Sequence, residues 1–320
     1  MDAVIYSLLL LVGFVLVIKG ADFTVSGATH LAKKFGISEL TIGLTVVAFG
    51  TSAPELAVNV LADDEIVFGN VVGSNNFNLL AILGIAGLMS PMLVRRKTIF
   101  IELPYTIIIL GLLLLLLNDG LFGHAENILS RFDAIILLIG FVLFMAYAFK
   151  TSKQELVAEV ESGKPKPLPL SIGLLLLGLA GLVFGGHLVV ENASGLARLA
   201  HVSETVIGLT IVSLGTSLPE LATSVAAARK GKADIAVGNV VGSNLFNVLL
   251  ILGVSSLIKN RHFNADLNAD ITLTLVATAF LFLVLLIKPH KRISSYESVV
   301  LFGGFIIYFI YIFNREMNWF

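Results

Sequence analysis

Two glutamates, each placed directly after a proline inside a long apolar run, are the residues of this chain best suited to chemistry. The stretch Gly50–Glu55 reads GTSAPE, and it recurs as GTSLPE at Gly215–Glu220. An acidic side chain at the centre of a membrane helix costs about 2.5–3.5 kcal/mol on insertion scales. A carboxylate at that depth therefore indicates a bound partner of positive charge.

The two prolines predict a break in each helix beside the glutamate. Proline has no N–H, so Pro54 leaves the carbonyl of Gly50 without its usual helical donor, and Pro219 does the same to Gly215. Free carbonyls at membrane depth are tolerated only where they face protein or a polar cavity. All the nearby donor atoms are oxygens, which favours sodium or calcium over zinc or copper. The hydroxyls within one turn belong to Thr51, Ser52, Thr216 and Ser217.

A second repeated motif supplies polar side chains at a spacing of four residues. Residues 69–78 read GNVVGSNNFN and residues 238–247 read GNVVGSNLFN. Residues four apart lie on one face of a helix, so each copy should present a polar stripe that completes an oxygen cage. The two stripes are Asn70, Ser74 and Asn78, and Asn239, Ser243 and Asn247. The glycines of each copy, Gly69 with Gly73 and Gly238 with Gly242, should let another helix approach closely.

The elements that must position these residues are membrane spans. The chain has 320 residues, of which 57% are hydrophobic and 13% charged, and this leaves too little polar surface for a soluble globule. Apolar runs long enough to span begin near residues 4, 40, 66, 98, 134, 169, 205, 235, 271 and 298. We therefore expect an all-α polytopic membrane protein of ten transmembrane helices, embedded in the lipid bilayer. No cysteine is present, which excludes thiol chemistry and disulfides.

The chain is an internal duplication. Residues 41–60 match 206–225 at 13 of 20 positions, and residues 69–84 match 238–253 at 13 of 16. Each copy carries five spans, an odd number, so the second copy must be inserted upside down relative to the first. We expect a first repeat at 1–149, a polar cytoplasmic connector at 150–168 and a second, inverted repeat at 169–320, with the site near the membrane midplane.

Lysine and arginine predict the orientation. With the N-terminus outside, the inside connections hold fifteen of these residues and the outside connections and tail hold five. Positive residues favour the cytoplasmic side. We therefore expect a multi-pass protein of the cell membrane with both termini outside, the acidic loop Asp63–Glu65 outside, and the connector inside.

Three classes of function are open to such a membrane protein: an enzyme, a passive cation channel and a secondary cation exchanger. An enzyme is disfavoured because the sequence has no HExxH, GxSxG or cysteine nucleophile. A passive channel would be built from rings of several subunits or from carbonyl filters, whereas here both carboxylates come from one chain. A secondary cation exchanger is favoured. Nothing in the sequence indicates a cofactor or a nucleic-acid partner, and the duplication predicts that a monomer is sufficient for function.

At these motifs the sequence resembles the calcium/cation antiporter superfamily, and most closely its sodium/calcium exchanger branch in prokaryotic form. The resemblance covers the whole chain and both repeats. It implies exchange of sodium for calcium by alternating access, with the long first and sixth helices sliding against the other eight. It also implies that calcium is bound by Glu55 and Glu220 with backbone oxygens of Thr51 and Thr216. The implied sodium ligands are Ala48, Thr51, Ser52, Glu55, Ser74 and Asn78 in the first repeat, and Ser213, Thr216, Ser217, Glu220, Ser243 and Asn247 in the second.

The chain departs from this family at two of the implied ligands, Asn247 and Ser213, the latter standing where alanine is common. Many sodium/calcium exchangers carry aspartate where this chain has Asn247, so the cage here holds two carboxylates and not three ionisable groups. The family's ion stoichiometry is therefore not carried over. Calcium/proton or sodium/proton antiport is the alternative that the sequence leaves open.

Overall fold

The computed structural model describes residues 2–119, 127–152, 167–202, 207, 210–211 and 213–317. Most of the connector predicted at 150–168 lies outside these residues, as does part of the span predicted from residue 205. Within the described part, eight helices are long and apolar enough to cross a membrane, and a ninth crossing is a bent pair of helices. An all-helical, multi-pass membrane fold is confirmed. The count of ten stays a prediction, because the remaining crossing is only partly described.

The described helices divide between the two halves of the chain. In the first half they are α1 (Asp2–Phe35), α2a (Glu39–Thr51), α2b (Ala53–Leu61), α3 (Asp64–Met89), α4 (Thr98–Leu117) and α5 (Arg131–Ser152). In the second half they are α6 (Leu168–Leu199), a short turn Ser213–Gly215, α7 (Leu218–Arg229), α8 (Ala233–Ile258), α9 (Asn268–Ile287) and α10 (Ser295–Met317). A 3-10 turn at Ala265–Leu267 precedes α9.

The core of the fold is formed by α3 and α8, the two helices that carry the GNVVGSN motifs. Within the most apolar 18-residue stretch of each helix, 83% of α3 and 94% of α8 is buried. The corresponding share of α1 is only 17%. Large apolar side chains such as Phe68 and Phe246 are almost fully enclosed beside the polar stripes. The outer helices present leucine, isoleucine and phenylalanine outward, as expected of a surface that faces lipid.

Strand pairs and ion pairs between the connections fall into two sets, one at each end of the helices. At one end, β1 (Met92–Leu93) pairs with β4 (Arg292–Ile293), and Arg95 binds Asp234 at 2.7 Å. At the other end, β2 (Ile128–Leu129) pairs with β3 (Arg261–His262). The carboxylate of Asp64 lies 3.0 Å from Arg261 at this same end. Each of these contacts joins two connections that lie on the same side of the membrane when the crossings are counted along the chain.

Charged residues of α1 and α6 lie in ion pairs at the surface. Asp22 binds Lys230 of the connection between α7 and α8 at 2.8 Å. His187 and Glu191 lie 3.4 Å apart with exposed side chains. None of these groups contacts the two repeated glutamates.

The two longest helices, α1 and α6, are joined by a seam of glycines. On α1 the glycines fall seven residues apart, at Gly13, Gly20 and Gly27. A Cβ added to Gly20 would lie 2.8 Å from the carbonyl oxygen of Gly178 and from the amide nitrogen of Leu182 on α6. The backbones therefore touch, which is how small residues hold membrane helices together. Contacts along the whole seam run antiparallel, with Gly13 against residue 185 and Gly27 against residue 175.

The glycines of the repeated motif behave differently in the two copies. A Cβ on Gly242 would lie 2.6 Å from the carbonyl oxygen of Leu44, and one on Gly238 would lie 2.9 Å from that of Leu40. Close approach of another helix is thus confirmed for the second copy. Around Gly69 and Gly73, no described atom lies within 4 Å of such a Cβ.

Candidate cation-binding site

Both repeats break their first motif helix at the same residue. The helices α2a and α2b meet at an angle of 46°. The break lies at Ser52, with φ −88° and ψ 5°, and its counterpart Ser217 before α7 has φ −92° and ψ 8°. Pro54 and Pro219 then occupy the first turn of the following helix, where a missing N–H costs nothing. The break predicted from the two prolines is confirmed.

Each glutamate lies one residue after the proline, in the first turn of α2b or α7. The positive end of the helix dipole favours a negative charge at this position. Glu55 is 2% exposed and Glu220 is 1% exposed, so water does not solvate either carboxylate from the surface. Among the described residues, no group of three or more acidic, histidine or cysteine side chains forms a metal cluster. The site thus has two acidic groups, surrounded by neutral oxygen atoms.

The hydroxyl groups at the two breaks cross from one repeat to the other. Oγ of Ser52 lies 2.9 Å from Oε1 of Glu220 and 3.0 Å from Oγ of Ser243. In the mirrored contact, Oγ of Ser217 lies 3.2 Å from Oγ of Ser74. Each repeat therefore contributes hydroxyls to the environment of the other, as a pseudo-two-fold axis requires.

Asn239 joins the first break to the second glutamate. The hydroxyl of Thr51 donates to Oδ1 of Asn239 at 3.1 Å. The amide of Asn239 donates in turn to the backbone carbonyl of Glu220 at 3.3 Å and to the hydroxyl of Ser224 at 3.0 Å. Both α2a and α7 are thereby held against α8. In the first repeat, the hydroxyl of Ser74 donates to Oδ1 of Asn70 at 3.3 Å, which places these two residues of the predicted stripe on one face.

The asparagines predicted to complete the cage, Asn78 and Asn247, lie in π-helical segments. Directly after each GNVVGSN motif the helix becomes a π-helix, at Phe77–Ile82 and at Phe246–Leu252. Asn78 and Asn247 are the second residues of these segments and are each 1% exposed. A third π segment, Gly43–Val47, leads into Ala48 and the first break. Such segments are frequent at functional sites because they widen the helix and redirect its side chains.

Four of the predicted ligands each have a buried oxygen with no hydrogen-bond partner among the described residues. These oxygens are Oε2 of Glu55, Oε2 of Glu220, Oδ1 of Asn78 and Oδ1 of Asn247. Buried polar atoms in native proteins are almost always paired, and an unpaired one needs an explanation such as a bound ion or water. These four atoms are two equivalent pairs from the two repeats. A cation could bind them without breaking an existing hydrogen bond.

The remaining predicted ligands lie in the same segments. Ala48 is fully buried at the start of the last turn of α2a, where its carbonyl lies 3.3 Å from the hydroxyl of Thr51. Ser213 begins the short helical turn before the second break, and Thr216 lies at that break. The structure thus brings the Gly50–Glu55 and Gly215–Glu220 motifs and the two polar stripes together around α3 and α8. Which of these oxygens bind each ion stays a prediction.

Sequence reasoning did not assign a role to Asn75 and Asn244, the last residues of the two GNVVGSN motifs. They lie one position beyond the stripe of Ser74 and Ser243, so a spacing of four residues does not include them. Both are buried and both bond to residues of the opposite repeat. Their identity in the two copies was the signal that could have found them.

The chain is similar to known membrane proteins along nearly its whole length. The family model described as "Sodium/calcium exchanger protein" matches residues 5–150 and 170–314. A similar relative is the "Inner membrane protein YrbG" of Escherichia coli (strain K12), 35% identical over 306 residues, which are 94% of each chain. Another is the "Sodium/calcium exchanger MaX1" of Methanosarcina acetivorans, 34% identical, with 96% of this chain and 98% of the relative covered.

The solved structures include a close match in fold. The sodium-calcium exchanger NCX_Mj, in a crystal soaked with sodium and strontium, superposes with a TM-score of 0.80 at 30% identity. The match covers 95% of this chain and 98% of that chain. At this identity and coverage the likeness extends to both repeats and to the helices that surround the two glutamates.

Proposed function

This chain belongs to the sodium/calcium exchanger family, and from that premise we propose that it exchanges sodium for calcium across the membrane by alternating access. The observation that carries the proposal is the set of four unpartnered, buried oxygens, two carboxylate and two amide, at the meeting point of the repeats. Oxygen ligands of this kind suit hard cations such as sodium and calcium.

We assign the ligands as follows. Calcium lies between the carboxylates of Glu55 and Glu220, assisted by backbone oxygens of Thr51 and Thr216. Sodium ions use the hydroxyl-lined positions and carbonyls on either side. These are Ala48, Thr51, Ser52, Glu55, Ser74 and Asn78 in the first repeat, and Ser213, Thr216, Ser217, Glu220, Ser243 and Asn247 in the second.

The charge of the site explains why the two ions compete. One calcium ion neutralises two carboxylates fully, so a further cation is not stabilised while calcium is bound. Sodium ions neutralise the same charges after calcium leaves. The empty site keeps two charges that are costly to carry past an apolar barrier. Loaded states can therefore change access while the empty state resists it, which is the property of an exchanger and not of a leak.

Alternating access requires a unit that moves against the rest. We propose that α1 and α6 move together, since their backbones touch along the glycine seam and they bury little of their surface against the core. Phe49 and Gly50 at the first break pack near α6, and Gly186 of α6 lies near Pro219 at the second. Movement of the pair would thus uncover one break or the other.

The test of the proposed function is calcium flux in sealed proteoliposomes that contain the purified protein. A sodium gradient directed outward should drive calcium uptake, and dissipating that gradient should stop it. A proton gradient alone should not drive uptake. If calcium flux continues without sodium on either side and follows the proton gradient, the calcium/proton alternative replaces this proposal.

We also propose that both termini and the loop Asp63–Glu65 face outside. Because the chain has no cysteine, single cysteines introduced at Glu65 and Arg96 report the side of each position. Both side chains are exposed, one at each end of the helices. An impermeant thiol reagent added to intact cells should label Glu65→Cys and leave Arg96→Cys unlabelled until the cells are opened. The opposite pattern would reverse the orientation.

A further inference from the structure

Four asparagines form a hydrogen-bonded chain between α3 and α8, in the order Asn78, Asn244, Asn75 and Asn247. Asn75 donates from its amide to the backbone carbonyl of Asn244 at 3.3 Å, and Asn244 donates to the carbonyl of Asn75 at the same distance. The amide of Asn247 donates to Oδ1 of Asn75 at 2.9 Å, and that of Asn78 donates to Oδ1 of Asn244 at 3.1 Å. Each side chain is at most 4% exposed.

This arrangement determines which way each amide points. A backbone carbonyl can only accept, so the NH2 groups of Asn75 and Asn244 must face the carbonyls that they contact. Their Oδ1 atoms therefore point the other way and can only accept. Asn247 and Asn78 must then present their NH2 groups to these oxygens. None of the four side-chain amides can be reversed without placing two acceptors against each other.

The consequence falls on Asn78 and Asn247. With their NH2 groups engaged, their Oδ1 atoms are the ones left buried and unpartnered. Were either amide reversed, an NH2 group with partial positive charge would take the place of that oxygen and would repel a cation. The orientation of these two amides therefore decides whether they can bind a cation at all.

We propose that Asn75 and Asn244 are positioning residues that hold the amide oxygens of Asn247 and Asn78 toward the transported cation. This inference rests on the proposed function, and it assigns Asn75 and Asn244 a part in cation affinity without contact to the ion. Residues that orient metal ligands in this way typically change metal affinity by about 10–100-fold when they are replaced.

The test measures how strongly sodium binds to the purified protein, as the sodium concentration that displaces half of the bound calcium, together with thermal unfolding. Leucine has nearly the shape of asparagine without its hydrogen bonds, so Asn75→Leu should weaken sodium binding by about 10–100-fold. The matched control is Asn76→Leu. Asn76 is also fully buried, but it bonds to Asp270 and Thr274, away from the other four asparagines. The repeat places Leu245 at the equivalent position, and the control should bind sodium as the wild type does.

A double-mutant cycle separates a positioning role from a merely structural one. If Asn75 acts through Asn247, the substitution Asn75→Leu should change sodium affinity less than two-fold in a protein that already carries Asn247→Ala. If the double variant instead loses sodium affinity by the product of the two single effects, the inference is overturned. An Asn75→Leu variant with wild-type sodium affinity would overturn it as well.

The outcomes also separate this inference from the proposed function. If the wild-type protein does not bind calcium, or sodium does not displace it, the proposed function fails and the four asparagines have no cation to orient toward. If sodium displaces calcium from the wild type and from Asn75→Leu equally well, only the positioning role fails. Should Asn75→Leu not fold, Asn244→Leu and Asn75→Ala are measured by the same criterion, the former acting through Asn78.

Discussion

Replacing either glutamate of the site with glutamine, in Glu55→Gln or Glu220→Gln, should abolish calcium transport and leave a folded, membrane-inserted protein. Glutamine has nearly the volume of glutamate, so the packing around α2b and α7 is kept. What is lost is one of the two negative charges that balance a divalent ion. Removing one partner of a buried charge pair costs about 3–5 kcal/mol, which is at least two orders of magnitude in binding.

The measurement is sodium-driven calcium uptake in proteoliposomes, with the amount of folded protein checked by its elution as a single species in detergent. The control is Glu191→Gln, because that carboxylate lies on α6 with an exposed side chain and pairs only with His187 among the described residues. The control should transport normally. Calcium uptake near the wild-type rate in Glu55→Gln or Glu220→Gln would show that the changed glutamate is not a calcium ligand.

The second large effect should come from the glycine seam between α1 and α6. In Gly178→Ala, the added methyl group would lie 2.5 Å from the hydroxyl oxygen of Thr24 and 2.8 Å from the carbonyl oxygen of Gly20. One of these neighbours is backbone and cannot rotate away, so the two helices must separate. Overpacking of this kind typically destabilises by about 1–3 kcal/mol.

Gly173→Ala is the matched control, since Gly173 lies on the same helix and has no described atom within 4 Å of an added Cβ. Thermal unfolding in detergent should show a lower midpoint for Gly178→Ala and an unchanged or higher one for Gly173→Ala. Calcium transport should fall only in the former. Equal midpoints in the two variants would mean that the seam does not hold the pair together.

The sequence was sufficient for the parts of the fold that depend on local chemistry. Hydropathy located the spans that the structure describes, and the prolines located both helix breaks. The glutamates and hydroxyls of the site were identified for the same reason, since a charged or polar side chain at membrane depth is too costly to be incidental. The structure brings these residues together as the duplication implies.

What could not be predicted depends on partners distant in the chain. A spacing of four residues shows that Ser74 and Asn78 share a helix face, but not that Ser217 meets Ser74 or that Asn247 bonds to Asn75. The π segments at Phe77–Ile82 and Phe246–Leu252 were not predicted, because they are too short to show a periodicity of their own in the sequence. The glycine seam was missed because its two sides are separated by more than a hundred residues.

The hydrogen bonds that cross between the repeats also bear on how such a protein can arise. Ser52 contacts the glutamate and the serine of the second copy, and Ser217 contacts the serine of the first, so neither half holds a complete site. A protein with a single repeat would need a second molecule inserted the opposite way up. Its gene product would therefore have to enter the membrane in both orientations, with connections that carry no charge bias. Fusion of two copies removes that constraint, and the equivalent connections here have diverged to opposite charge, acidic at 62–65 and basic at 228–232. In the proposed topology this difference in charge favours one orientation for each copy, and both halves of the site lie within one chain.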